Sequence, residues 1–431
     1  MNIRLILYFI LFTILILSCS KDNNENSIID NSSTPNILLV IADDMGKDAT
    51  SGFSEGSIKP NTPNLNNLKD TGLTFSNLWV NPTCSPTRAS LLTGSYGYHT
   101  GVRWAGDELP ASENIIHNYI SKETNNAYGT AIVGKWHLSG NNPNINPESF
   151  GMDYFAGIAA GKVSDYYNWK LSEDGYSSTQ TEYVTEHLTD LAIDWIGNQE
   201  KPWFLWLAYN APHTPFHIPP SNMHAQGILP AYSTGMDAKP YYMAAVEAMD
   251  FQLGRLIDAI PASELENTVI IFLGDNGTPN QVAQYPYSNQ TVKGTLYQGG
   301  INTPMFISGN GVTRTGIDDN LICGTDLFTT IANIAGIEVE EINDSKSFFP
   351  LLTSSGTIRD FQYSEMDDKT NDMWTIRNNT FKLLVNANGN KSMYDLSVDK
   401  YEENDLLLGT LSSLQQIAKA ELENELIEIR Q

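Results

Sequence analysis

Basic residues, cysteines and long apolar runs are all in short supply in this 431-residue chain. Lys and Arg total 25 against 50 Asp and Glu, a formal charge of -25. A surface of that sign excludes a general nucleic-acid binder and argues against electrostatic docking on anionic membrane. It also repels anionic ligands at long range, so local cations must hold any such ligand once it is within a Debye length, on the order of 10 Å at 0.1 M salt. The three cysteines are Cys19, Cys84 and Cys323. Two of them, Cys19 and Cys84, sit in motifs of their own, which leaves no pair for a disulfide framework. Cys323, in Leu321-Ile322-Cys323-Gly324, reads as a small buried core residue. No internal repeat is evident.

The one long apolar run is N-terminal. Met1-Asn2-Ile3-Arg4 precedes an almost wholly apolar stretch from Leu5 to Leu17, then Ser18-Cys19-Ser20-Lys21-Asp22. A positive start, a short apolar stretch and a small residue before a cysteine describe an export signal. Ile16-Leu17-Ser18-Cys19 resembles a bacterial lipobox, in which residues 1–18 are removed and Cys19 is lipidated. The alternative is an ordinary signal peptide or an uncleaved anchor. Either way the chain is expected to be exported; the lipobox reading makes it a lipoprotein of the outer membrane, cell surface or periplasm. Residues 19–34, rich in Asn, Ser and Asp, read as a flexible tether. What remains is long enough for one large domain, 35–360, and a smaller one, 361–431.

Four apolar runs end in polar residues: Asn36–Ala42 before Asp43-Asp44, Thr130–Val133 before Gly134-Lys135-Trp136-His137, Trp203–Tyr209 before Asn210-Ala211-Pro212-His213, and Thr268–Leu273 before Gly274-Asp275-Asn276. Runs of this length suit strands buried on both faces in a parallel sheet, whose ligand site lies beyond the carboxyl ends. Helical spacing is expected in 64–70, 183–198 and 241–260. From about Phe361, short strands at 373–377, 380–385 and 391–396 are separated by Asn-rich turns, and 411–429 forms a closing amphipathic helix. The fold class is α/β: a large, mostly parallel central sheet flanked by helices, with a small C-terminal antiparallel sheet and helix.

Two adjacent acids at a strand end, Asp43-Asp44, are by themselves as readily a solvated turn as a site. A second pair, Asp275-Asn276, at the end of another strand makes a metal site the better reading. Three carboxylates and an amide carbonyl are hard oxygen donors, which select calcium or magnesium over zinc. Cys84-Ser85-Pro86-Thr87-Arg88 is otherwise a loop cysteine ahead of a helix begun by Pro86, where unpaired N–H groups favour an anion. If the backbone stays extended past Lys135, residues 135 and 137 point to one side. His213 between prolines and Lys293 in Thr291-Val292-Lys293-Gly294 are weak signals taken alone.

Together these stretches resemble the type I, formylglycine-dependent sulfatases of the alkaline phosphatase-like superfamily. Cys84 through Gly94 matches the signature that a maturation enzyme reads to oxidise the cysteine to formylglycine, and the other motifs follow in family order nearly throughout the chain from Pro35. The resemblance implies one divalent ion, calcium first and magnesium second, held by Asp43, Asp44, Asp275, Asn276 and the oxygen of residue 84. Arg88 and Lys135 would hold the modified side chain and the sulfate, His137 would take the proton of the second hydroxyl, and His213 and Lys293 would serve the leaving group. Asn276 favours a sulfatase over the two-metal relatives, which carry histidine there. The implied function is hydrolysis of sulfate esters, on a sulfated carbohydrate. A phosphonate or phosphate monoester hydrolase, and a catalytically silent glycan-binding lipoprotein, are the alternatives. The chain departs from the family at Gln298 and Asn302, where glutamate and arginine are usual. His99 and His217 are either sugar contacts or structural.

Overall fold

A computed structural model of the chain describes residues 34–140 and 146–431. The expected leader, Cys19 and the tether as far as residue 33 lie outside the described residues. An 11-stranded sheet dominates the larger part. In chain order its strands are β1 (Asn36–Ala42), β2 (Leu73–Trp79), β3 (Gly129–Lys135), β4 (Tyr154–Ile158), β5 (Trp169–Glu173), β6 (Tyr176–Gln180), β7 (Trp203–Ala208), β8 (Thr268–Gly274), β9 (Asn302–Gly309), β10 (Gly316–Asp318) and β11 (Ile322–Cys323). They lie in the order β10-β2-β9-β8-β1-β7-β3-β4-β5-β6, with β11 also on β2.

Five neighbours, β8, β1, β7, β3 and β4, run parallel. Strand β1 shows why they are central. Its Ile37, Leu39 and Ile41 enter the core on one side of the sheet, while Leu38, Val40 and Ala42 enter the core on the other. Alternation with both faces apolar needs helices on both sides, and each fully buried Leu or Ile contributes about 1.5–3 kcal/mol. The covering helices include Pro63–Thr71, Val184–Gly197 and Lys239–Ala259, each within a few residues of its expected limits.

Strand β9 is antiparallel to both β8 and β2. Its beginning therefore lies at the same edge as the ends of β1, β2, β3, β7 and β8. Strands β2 and β9, with less distinctive apolar patterning, were not expected from sequence.

At the C-terminus, Gln362–Asp367, Asp372–Arg377, Phe381–Val385 and Lys391–Asp395 form a four-stranded antiparallel sheet, one strand more than expected. The helix Ser413–Ile429 buries Ala418 and Leu422 against it, and a Ser412–Gln415 capping box starts it. Trp79, Leu296 and Ile301 share a core with Met366, Leu384 and Tyr394, so this sheet packs against the segment after Lys293. Among the described residues no helix is long and apolar enough to cross a membrane.

Candidate active site

The candidate catalytic and metal residues, Asp43, Asp44, Cys84, Arg88, Lys135, His137, His213, Asp275, Asn276 and Lys293, arrive at one edge of the sheet. The helix Cys84–Thr93 begins at the cysteine itself, two residues before the expected start at Pro86. Cys84 thus stands in the first turn, where free backbone N–H groups point toward an anion. Its Sγ lies 3.1 Å from Nδ1 of His137.

His137 reaches that position by a route other than strand alternation. Strand β3 stops at Lys135, and His137 has φ +58, in the left-handed region. The turn, not the pleat, brings 135 and 137 to the same site. Three contacts hold it: His137 N donates to Ala159 O at 3.2 Å, Trp136 N donates to Ile158 O at 2.9 Å, and Ser85 Oγ donates to His137 O at 2.9 Å.

The charged groups are paired one to one. Lys135 Nζ donates to Asp43 Oδ2 at 2.6 Å, Arg88 NH2 donates to Asp275 Oδ2 at 2.8 Å, and Lys293 Nζ donates to Asp44 Oδ1. Arg88 NH1 also donates to Lys135 O at 2.8 Å. Asp43, Asp275 and Asn276 have no exposed surface, and Arg88 and Lys135 have 1% each, so unpaired charge there would be costly. Burial by itself would raise Asp43, but Lys135, His213, Arg88 and Lys293 together hold its carboxyl well below the usual range. Burial pushes the Cys84 thiol up and, with Lys135 and Arg88 nearby, pushes His137 down to about 2.

Two oxygens in this paired set stand apart. Asp43 Oδ1 and Asn276 Oδ1 are buried with no hydrogen-bond partner, although Asn276 Nδ2 donates to Asp44 Oδ1 at 2.8 Å. Buried acceptors are normally satisfied. The residues therefore fit a hard cation: carboxylate and amide oxygens, two of them vacant of protein donors. Three carboxylates balance three cations, so a divalent ion would leave the pocket positive toward an anion. Asp43, Asp44 and His213 also place one potential ligand atom each within 4.8 Å of one another. A histidine thus stands nearer the acid pair than the all-oxygen reading expected.

The pocket opens past His213 and Lys293, whose side chains are 13% and 23% exposed. His213 Nδ1 is 2.7 Å from Thr214 O, which can only accept, so Nδ1 carries the proton and Nε2 faces Asp44 Oδ2 at 3.7 Å. These two groups are the ones a bulky ligand meets first.

His217 is structural: its ring stacks on Tyr166 at 3.7 Å and its Nδ1 bonds Pro215 O at 2.9 Å. His99 pairs with Asp344 at 2.7 Å. Gln298 and Asn302 belong to a buried relay. Lys47 Nζ donates to Asn302 Oδ1 at 2.6 Å, and Asn302 Nδ2 donates to Gln298 Oε1 at 2.9 Å.

Sequence reasoning missed several supports. Tyr166 Oη lies 2.7 Å from both Asn210 O and His213 O, and Tyr242 OH donates to Asp44 O at 2.8 Å. Gly161 carries no motif signal, yet a Cβ there would fall 2.1 Å from His137 Nε2.

The chain is similar to several known sulfatases. The uncharacterized sulfatase YdeN of Escherichia coli (strain K12) is 29% identical over 366 residues, covering 71% of this chain and 63% of YdeN. The arylsulfatase of Klebsiella aerogenes is 26% identical over 423 residues, covering 74% of this chain and 90% of that enzyme. The solved structure of Ps i-CgsB in complex with k-i-k-neocarrahexaose matches with TM-score 0.76 at 25% identity, covering 91% of this chain and 92% of that one. The chain spans just under two thirds of YdeN's length, 63%. The sulfatase family profile matches residues 35–337, from the strand that delivers Asp43 to the far side of the sheet, and the chain belongs to the sulfatase family, within the alkaline phosphatase-like superfamily.

Proposed function

We propose that the protein hydrolyses sulfate esters on a sulfated carbohydrate, with formylglycine made from Cys84 and one divalent cation, calcium before magnesium. What carries the reading is the pair of buried, unpartnered oxygens, Asp43 Oδ1 and Asn276 Oδ1, in the pocket that Cys84 and His137 share. Asp43, Asp44, Asp275 and Asn276 would hold the cation, which would supply Lewis-acid polarisation. Converted to formylglycine and hydrated, residue 84 supplies two hydroxyls, one to attack sulfur and one whose later loss of a proton releases sulfate.

The chain's own groups do the rest. His137 receives that proton at Nδ1, the atom facing residue 84. Arg88, Lys135 and Lys293 carry the positive charge that balances the sulfuryl oxygens in the transition state. His213, partly open to solvent, meets the ester oxygen, and a proton delivered there lets the alcohol leave as the S–O bond breaks. A carbohydrate substrate is supported by the saccharide bound to Ps i-CgsB, and ester hydrolysis by the arylsulfatase name of the Klebsiella relative. The same reading includes export and a lipid on Cys19, which metabolic labelling with a fatty acid would detect.

The test compares aryl sulfate with aryl phosphonate on one matured preparation, followed by a sulfate-release screen over sulfated oligosaccharides. Sulfate turnover should dominate; a dominant phosphonate rate would overturn the proposal. Peptide mass spectrometry should find residue 84 about 18 Da lighter than cysteine. Cys84→Ser, lacking a second hydroxyl, should lose multiple turnover.

A further inference from the structure

The segment from Ile158 to Ser164 has two faces. On one, Gly161 backs the imidazole of His137, with no room for a Cβ. On the other, it lines a cavity of 540 Å³ completed by the start of β5 and the end of β6. Because β4 is parallel to β3 and β5 antiparallel to β4, this cavity lies at the same sheet edge as the active site. Its wall is tied directly to the site, since Ile158 O and Ala159 O accept from Trp136 N and His137 N.

The lining suits a saccharide bearing negative charge. Ala159, Ala160 and Val163 give an apolar surface for the C–H face of a sugar ring, while Lys162, Asn168 and Lys170 give donors. The volume is within the range of small-ligand sites, roughly 300–1,000 Å³. Lys162 and Lys170 are both exposed. Arg88, Lys135 and Lys293 each have a carboxylate partner, but among the described residues neither Lys162 nor Lys170 has one within 4.0 Å; Lys170 Nζ instead donates to Thr179 Oγ1 at 2.5 Å. Two cations left free beside one cavity, in a chain with twice as many acids as bases, form a local positive patch on a repelling background.

We propose that this cavity is a second anion subsite, which binds a sulfate group carried by the same saccharide on a sugar other than the one being cleaved. The identity of the anion rests on the sulfatase reading; the presence of an anion subsite does not. The site would make the protein prefer multiply sulfated chains over isolated monosulfated sugars. Its attraction would be salt-sensitive, since both lysines are solvent-exposed point charges.

Two measurements on the full chain test this. By titration calorimetry at low salt, a sulfated dextran oligosaccharide should bind wild type tightly and unsulfated dextran should not. The Lys162→Ala/Lys170→Ala variant should lose about tenfold or more in affinity, roughly one tenfold step per 1.4 kcal/mol, and Lys162→Arg/Lys170→Arg should restore most of it. In turnover, the alanine variant should raise KM for a multiply sulfated oligosaccharide with kcat unchanged, and leave aryl sulfate kinetics as they are. Unaltered affinity and KM in the alanine variant would overturn the subsite. If wild type cleaves no sulfate ester but the binding difference persists, the proposed function fails and the subsite stands.

Discussion

Gly161 and His137 fit together as surface and ring: a Cβ on the glycine would lie 2.1 Å from Nε2 and 2.4 Å from Cε1 of the imidazole. The opposite side of that ring presents Nδ1 to Cys84 Sγ at 3.1 Å. Gly161→Ala must therefore push the ring toward residue 84 or out of the pocket. Displacement of a reacting group by about 1 Å costs on the order of 100-fold in rate. The variant should lose roughly 10- to 100-fold in kcat with KM for an aryl sulfate little changed, and His137→Ala is the comparator. Full kcat in Gly161→Ala beside a dead His137→Ala would show that the ring tolerates the added methyl.

The unpartnered oxygens of Asp43 and Asn276 predict a stabilising cation. A ligand bound only by the native state raises stability by about 2.7 kcal/mol at 100 times its Kd. Thermal unfolding followed with chelator, calcium, magnesium and zinc should show the lowest midpoint with chelator and recovery with calcium. Asn276→Ala should blunt that recovery. Stabilisation by zinc alone would contradict the hard-donor assignment.

Lys47 predicts a pH dependence of stability away from the reaction centre. Burial above all, joined by Lys400 and Arg377 and only partly offset by Glu55 and Asp319, lowers its ammonium to about 7. The folded value is thus below the unfolded one, so between about pH 7 and 10.5 the unfolded chain binds more protons and stability rises with pH. The penalty, on the order of 4 to 5 kcal/mol, is fully present below pH 7 and relieved toward pH 10.5. Urea unfolding of wild type against Lys47→Gln, which keeps a donor for Asn302, should show the rise flattened in the variant. Identical slopes would mean that Lys47 is neutral or well solvated.

Lys382 and Glu402 predict how much one buried pair of the C-terminal part contributes to stability. They form a fully buried ion pair; Lys382 Nζ also donates to Leu296 O at 2.5 Å, and Glu402 Oε2 accepts from Gln298 N at 2.7 Å. Removing one partner of such a pair costs about 3–5 kcal/mol because the other charge is left buried. Lys382→Met should destabilise by that amount in urea unfolding, and adding Glu402→Gln should return part of it. Equal losses in the single and double variants would argue that the pair itself carries little.

Much of the site was readable along the chain because its groups come in short strings. Asp43-Asp44 follows a seven-residue apolar strand, Asp275-Asn276 follows another, and Cys84 to Arg88 spans one helical turn. Local order of that kind is set by apolar periodicity and backbone sterics, which act between near neighbours. Three of the four strands of the small antiparallel sheet were legible from its Asn-rich turns, and Gln362–Asp367 was not.

The remainder depends on residues far apart in sequence. No local signal could show that Lys47 would serve Asn302 across 255 positions, that Lys293 would choose Asp44, or that Gly161 would be the floor beneath His137. Nor could it show that His137 arrives by a left-handed turn, since Ala159, just past the end of β4, supplies the carbonyl that fixes it. Local pattern along the chain settles which chemical groups the protein owns and which of them stand at the end of a strand. The tertiary structure alone decided which charge neutralises which, which oxygens are left without a donor and which cavities flank the site, because burial and pairing arise only when distant segments exclude water together.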